Sequence, residues 1–296
     1  MHTVSIIIVN WNTKELLQDC IKSVPDGAGN ISFKIIVVDN ASSDGSAKTV
    51  EEKFPDVVLI KNNDNKGFAY ACNQGATVAT GTYLFFLNPD TLLEKGCLQN
   101  LVEFADKQAW MGAVGPQLIG RDGKIQNSVR SFPRPRDVLI RDTFLKKIIP
   151  VSKKKKFLVK LSQKEASSVE QVSGAAFLIR RDLWKDIGGM DERFFMFYEE
   201  VDLCKRLKDL GYGIYYLPSA RIVHRGGGSR RQDRSAVFYY SIKSMFAYLH
   251  KYESPGKMFW FNLIYKPLFL LSLLTAVKNK EKRDFLKKCL IEFIKF

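Results

Sequence analysis

Cysteine is sparse and unpatterned in this chain. Its five cysteines (Cys20, Cys72, Cys97, Cys204 and Cys289) are odd in number, scattered and without any CxxC pair. That excludes a disulfide framework and a thiolate zinc site, and it suits a reducing cytosol. Histidine is scarcer still, with three residues. No GxGxxG follows the first apolar run and no Walker A loop occurs, so neither a dinucleotide fingerprint nor a P-loop is present. No secretory signal is expected either. MHTVSIIIVNWN carries a short apolar run without a basic region before it, and reads as a buried first strand. Acid is short as well: 31 Asp+Glu face 46 Lys+Arg, a formal net charge of +15 over 296 residues. Such an excess calls for an anionic partner, whether nucleic acid, a phosphorylated small molecule or an anionic membrane.

The surplus is concentrated. Arg121 to Lys164 holds 14 basic and 3 acidic residues, including Lys153-Lys154-Lys155-Lys156, and Pro255 to the end holds 9 basic and 3 acidic. A lysine run is either a solvated loop or a surface that faces phospholipid headgroups. The C-terminal segment favours the membrane. MFWFNLIYKPLFLLSLLTAV, residues 258–277, is interrupted by Asn262, Lys266 and Pro267, whereas a span needs about 20 largely unbroken apolar residues. An interfacial pair of helices is expected, with Trp260, Tyr265 and the lysines at headgroup level. The alternative is a helix packed on the catalytic domain. Nucleic acid is not the expected partner, because the basic residues sit in a loop and a tail and form no module interleaved with aromatics.

With 46% hydrophobic and 12% aromatic residues, the chain has ample material for a core. Val4–Val9, Ile35–Val38, Val57–Ile60 and Tyr83–Leu87 are short apolar runs rich in β-branched or aromatic residues. Polar turns and helix-like stretches follow the first three. The alternation predicts βαβ units and a largely parallel sheet. A second block follows at about 169–224: SGAAFLIRRDLW as strand into helix, Glu199–Leu210 as a helix capped by Gly211, then GIYYLP and ARIVH as short strands. Residues 126–166, with Pro133, Pro135 and Pro150, read as a long, partly flexible excursion.

Ligands in open α/β sheets bind beyond the carboxyl ends of the strands. Those ends carry Asn10-Trp11-Asn12, the turn Asp39–Gly45 and Asn88-Pro89-Asp90. Asp90 follows a buried strand and is a candidate ligand for a divalent cation bridging to a diphosphate, although NPDT is equally good turn chemistry. His224 ends an apolar run before Gly226-Gly227-Gly228, where backbone can approach a ligand closely; a structural histidine is the alternative. Glu199, Glu200 and Asp202 open a helix after the aromatic run RFFMFY. Helical spacing places Glu199 and Asp202 on one face and Glu200 about 100° away. The aromatic run would shield a carboxylate and tune it as a general base, while acids in a first turn also simply favour the helix dipole. Asp39 is placed to accept hydrogen bonds from a nucleobase or ribose, or to form an Asx turn.

In order, WNT, VVDNASSDGS, NKGFAYACNQG, FLNPDT, VSGAAFLIRR, IGGMDERFFMFYEEVDLCKRL and HRGGGS resemble family 2 glycosyltransferases, within them the rhamnosyltransferase-like enzymes of bacterial surface polysaccharide synthesis. The resemblance covers roughly residues 3–230. It implies a GT-A fold over 1–235, with a nucleotide-sugar half (1–100) and an acceptor half (101–235), followed by a helical, membrane-associating region at 236–296. It also implies an inverting mechanism, a nucleotide-diphosphate sugar donor such as dTDP-rhamnose, a lipid-linked or polysaccharide acceptor, and a site at the cytoplasmic face of the plasma membrane. By position, Asn10, Asn12, Asp39 and Lys66 would line the nucleotide pocket, and Asn88 and Asp90 stand where the family has its DxD. Asp90 and His224 would hold Mg²⁺ or Mn²⁺. Glu200 stands where the family places its general base, with Glu199 as fallback, and Gly174 and Asp191 face the acceptor. Two departures stand out: Asn88 replaces the first Asp of DxD, and Glu200 replaces the Asp of a Glu-Asp pair. A catalytically silent nucleotide-sugar-binding relative is the rival reading. A sugar-phosphate nucleotidyltransferase would want a glycine-rich basic loop after the first strand, which WNTKELLQDC does not supply.

Overall fold

The computed structural model describes residues 3–145, 165–226 and 234–276. The lysine run at 153–156 and the basic tail beyond 276 lie outside them. The first half alternates as the apolar runs predict: β1 (Val4–Asn10), α1 (Lys14–Ala28), β2 (Phe33–Asp39), α2 (Ser46–Lys53), β3 (Val58–Lys61), α3 (Phe68–Thr77) and β4 (Tyr83–Leu87). Alternate side chains of each strand serve opposite layers. Ile6 and Ile8 of β1, Val37 of β2 and Phe85 of β4 pack with Leu17, Cys20 and Val24 of α1. Ile7, Val38 and Phe86 pack with Ala69 and Cys72 of α3. Burial on both faces is why these strands are apolar without interruption, and each fully buried Ile, Val or Phe contributes on the order of 1.5–3 kcal/mol. A Cβ on Gly75 of α3 would lie 2.6 Å from Ile7 Cγ2, so a small residue sets how closely that helix lies on the sheet.

The second half adds β5 (Thr91–Leu93), α4 (Cys97–Lys107), β6 (Met111–Ile119), β7 (Val129–Arg130), α5 (Pro135–Asp142), β8 (Ser167–Val169), β9 (Gln171–Val172), β10 (Ala176–Arg180), α6 (Arg181–Asp186), α7 (Glu199–Asp209) and β11 (Gly213–His224). The main sheet runs β3-β2-β1-β4-β10-β6-β11-β5, with β8 on β11. Strands β3, β2, β1 and β4 are parallel. The second half is mixed: β10 is antiparallel to β4 and β6, and β5 is antiparallel to β11. GIYYLP and ARIVH are one strand, β11, since Pro218 falls in a register shift between Leu217 and Arg221, where a missing N–H costs no ladder bond. The 126–166 excursion contains ordered structure, β7 and α5.

Two helices close the described chain, α8 (Arg234–Tyr252) and α9 (Pro255–Ala276). Asn262, Lys266 and Pro267 do not break α9. Among the described residues no helix is long and apolar enough to cross a membrane. Met258, Phe261, Tyr265 and Phe269 form the inner face of α9 and pack on Phe246 and Leu249 of α8 and on Val138, Phe194 and Tyr198. Tyr265 is therefore not at a headgroup level. It is 0% exposed, and its hydroxyl donates to Asp142 Oδ2 at 3.3 Å. The outer face keeps Phe259, Trp260, Leu263, Ile264 and Leu271 exposed.

Candidate active site

A cavity of about 210 Å³ opens at the carboxyl ends of β1 and β4, where the turn chemistry of the sequence is densest. Val9, Trp11 and Thr13 form its β1 side and Asn88, Pro89 and Asp90 its β4 side. Ser173 to Ala175, Phe195 to Phe197, Glu199 and Glu200 also line it, and His224 and Gly226 complete it. Asp90, Glu199, Glu200, His224, Asn88 and Gly174 thus share one cavity.

His224 reaches the site because β11 pairs antiparallel with β5, placing it opposite Thr91. Its Nε2 lies 3.6 Å from Asp90 Oδ1. On the other side of the ring, Nδ1 is 2.8 Å from Gln126 Oε1, while Gln126 Nε2 donates to the His224 carbonyl at 2.9 Å. A ring that donates from Nδ1 turns its Nε2 lone pair towards Asp90, the tautomer a metal ligand needs. Arg225 donates its backbone N–H to the Asp90 carbonyl at 2.9 Å, but its guanidinium is paired with Asp19 at 2.6 Å. Cys20 lies beside the same strand tip, with Sγ 3.6 Å from the Asn88 carbonyl. Burial pushes its thiol up to about 12, so it is a packing group and not a nucleophile.

The turn before α7 is strained. Phe197 and Tyr198 sit at φ 68° and 69°, consecutive aromatic residues in the left-handed region, a conformation costing roughly 1–3 kcal/mol per residue. This turn feeds directly into α7 and aims Glu199 and Glu200 at the cavity. Gly174 lies against the second of them: a Cβ there would touch Glu200 Cβ, Cγ and Cδ at 3.5 Å. The pair that shares the cavity is Glu199 and Glu200, not the Glu199 and Asp202 that helical spacing puts on one face. Asp202, 0% exposed, is turned away to a separate cluster, where its Oδ1 accepts from Lys251 and Tyr252 and its Oδ2 from Arg206. Asp191 joins that cluster and does not line the cavity. Arg193, and then Lys251, hold its carboxyl well below the usual carboxylate range.

Asn10 and Asp39 do not form the cavity wall. They make a buried network behind it: Asn10 Nδ2 donates to Asp39 Oδ1 at 2.7 Å, Ser42 N–H to Asp39 Oδ2 at 2.9 Å, and Thr13 Oγ1 to Asn10 Oδ1 at 2.6 Å. Asn12 accepts from the Ser43 N–H at 2.7 Å, fixing the β1 and β2 turns to each other. Lys66 is paired with Asp64 at 3.1 Å, half exposed and outside the wall. Sequence reasoning missed Trp11, Asn40, Asn65, Phe195 and Phe197 as wall residues. Trp11 and the Phe195–Phe197 stretch stand inside segments already singled out, so position beside the candidate acids was the available signal.

Residues 5–188 match the family described as Glycosyl transferase family 2. The chain is 28% identical over 232 residues to N-acetylglucosaminyl-diphospho-decaprenol L-rhamnosyltransferase of Mycobacterium tuberculosis, covering 73% of this chain and 74% of that one. It is 26% identical over 256 residues to rhamnosyltransferase WbbL of Escherichia coli K12, covering 83% and 92%. Among solved structures, the mannosyltransferase PcManGT of Pyrobaculum calidifontis, in complex with GDP-Man and Mn²⁺, superposes with a TM-score of 0.57 at 18% identity, covering 99% of this chain and 81% of that one. With the matched region spanning more than half of its length, the chain belongs to glycosyl transferase family 2 and is a glycosyltransferase.

Proposed function

We propose that the cavity transfers a sugar, with inversion, from a nucleotide-diphosphate donor to a hydroxyl of a lipid-linked glycan. The observation that carries this is that Glu200 and Asp90 line one cavity. Glu200 takes the proton from the acceptor hydroxyl as it attacks the anomeric carbon, and a single displacement inverts that centre. The transition state has oxocarbenium-ion character, as in glycoside hydrolysis. Gly174 leaves room for the hydroxyl beside Glu200, and Glu199 is the alternative base.

Asp90 and His224 offer a carboxylate oxygen and an imidazole nitrogen, a donor pair that suits Mg²⁺ or Mn²⁺ with the remaining positions left to diphosphate and water. Held there, such a cation would supply positive charge to neutralise the departing diphosphate. The network around Asn10 and Asp39 shapes the nucleotide end; the rhamnosyltransferase relatives support a rhamnose donor, for which dTDP is the carrier proposed. The outer face of α9, with Lys257 and Lys266 on the same helix, supports peripheral attachment to an anionic membrane at its cytoplasmic side, where a lipid-linked acceptor resides.

The test is Glu200→Gln. Transfer should fall by about 10²- to 10⁴-fold while the affinity for the nucleoside diphosphate stays at the wild-type value. Wild-type turnover in the variant would remove Glu200 from the role. A thermal-shift panel of nucleoside diphosphates with and without Mn²⁺ names the base and the metal dependence through linkage.

A further inference from the structure

We infer that Lys251, at the end of α8, is a positioning residue that fixes the base-bearing turn by tying its two ends together. Lys251 Nζ donates to Asp191 Oδ2 at 2.8 Å and to Asp202 Oδ1 at 2.6 Å. Between these carboxylates the chain runs through Phe195, Met196, Phe197, Glu199 and Glu200, which line the same cavity as Asp90. That stretch contains the two left-handed aromatics, so it keeps its shape only where surrounding contacts hold it. Inside the turn, Ser244 Oγ of the same helix donates to the Met196 carbonyl at 2.9 Å, and Tyr240 stacks on Phe195 at 4.2 Å.

Lys251 reaches both ends from a separate helix. Arg206 pairs with Asp202 and bonds the carbonyls of Ile187 and Gly189, so it joins α7 to the chain just before Asp191, and Lys251 adds a tie from α8 to both carboxylates. Arg193 pairs with Asp191 from an exposed position. An ammonium shared by two carboxylates, one of them fully buried, is held far more firmly than a surface pair. Removing it leaves Asp202 with Arg206 and Tyr252 and Asp191 with Arg193, and Asn73 still holds Met190 and Glu192, but the direct link between the two carboxylates is lost. Lys251 also lies beyond residues 5–188 and beyond the family-like segments of the sequence, so the turn depends on a helix that those segments do not include.

The inference rests on the assignment of Glu200 as base, and its test separates the two. Amide hydrogen exchange of Lys251→Met should quicken at least about tenfold across 194–203 while β1, β2 and β4 keep wild-type protection, and Lys251→Arg should restore protection. Turnover with dTDP-rhamnose and N-acetylglucosaminyl-diphospho-decaprenol should fall about a hundredfold in Lys251→Met, the scale of a 1 Å misplacement, with dTDP affinity unchanged. Exchange needs no substrate. Unaltered protection of 194–203, or faster exchange spread evenly over the molecule, overturns the positioning role. Full transfer by Glu200→Gln overturns only the base assignment.

Discussion

His224 Nε2 stands 3.6 Å from Asp90 Oδ1, and Gln126 holds the far side of the imidazole. The pairing of β5 with β11 makes this meeting. Asp90→Asn should remove the Mn²⁺-dependent part of dTDP binding, measured by calorimetry with and without EDTA. Gln126→Ala should weaken it about 10- to 100-fold, the usual effect of losing a partner that orients a ligand. Equal dTDP affinity with and without metal in the wild type would end the cation reading.

Two glycines in the cavity wall should behave differently. Gly67 sits at φ +90°, and a Cβ would fall 2.5 Å from the Phe195 carbonyl oxygen. Gly67→Ala therefore meets backbone on both counts, and should lower stability by about 1–3 kcal/mol in urea unfolding. Gly174 has an ordinary φ, and a Cβ would make ordinary contacts with Glu200. Gly174→Ala should unfold at the wild-type midpoint, yet show a raised KM for the acceptor.

The exposed face of α9 should govern membrane binding without affecting folding. Phe259 and Trp260 are 63% and 62% exposed, and each large apolar side chain moved out of water is worth about 1.5–3 kcal/mol. The triple change Phe259→Ser, Trp260→Ser, Leu263→Ser should cost at least about a hundredfold in flotation with phosphatidylglycerol vesicles and leave Tm unchanged. Undiminished flotation would place the contact elsewhere.

Asp191 should leave a signature in acid. Its carboxyl titrates below the usual 3.8 because Arg193 and Lys251 favour the ionised form. A depressed folded-state pKa contributes stability that is full above the unfolded value and lost as pH falls towards the folded one. Asp191→Asn should therefore melt below the wild type at pH 6, and the gap should narrow progressively as pH falls below about 4. A gap independent of pH would mean that Asp191 acts by packing alone.

The first half was legible because its strands are buried on both faces: YLFFL reads as strand and is β4, 83–87. The second half was harder to read. β6, MGAVGPQLI, contains two small breaks and a proline, and its strand character comes from pairing with β11 rather than from its own residues. The same pairing carries β11 through Pro218. At the site, motif order brought out Asp90, His224 and Glu200, whose placement in one cavity requires a crossover that no local pattern encodes. Spacing misplaced Asp202 because it reports which helical face a residue occupies, not which cation lies there. Tyr265 was misread for a similar reason: α9 is apolar on both sides, and only packing on α8 decides which aromatics are hidden.

The paired left-handed aromatics Phe197 and Tyr198 carry a consequence for biogenesis. Neither residue favours that conformation alone, and the groups that brace it are supplied from α5, α8 and α9. The turn that carries Glu199 and Glu200 must therefore wait until the last helices have left the ribosome, so a product truncated before α8 would lack the contacts that hold this part of the cavity in shape.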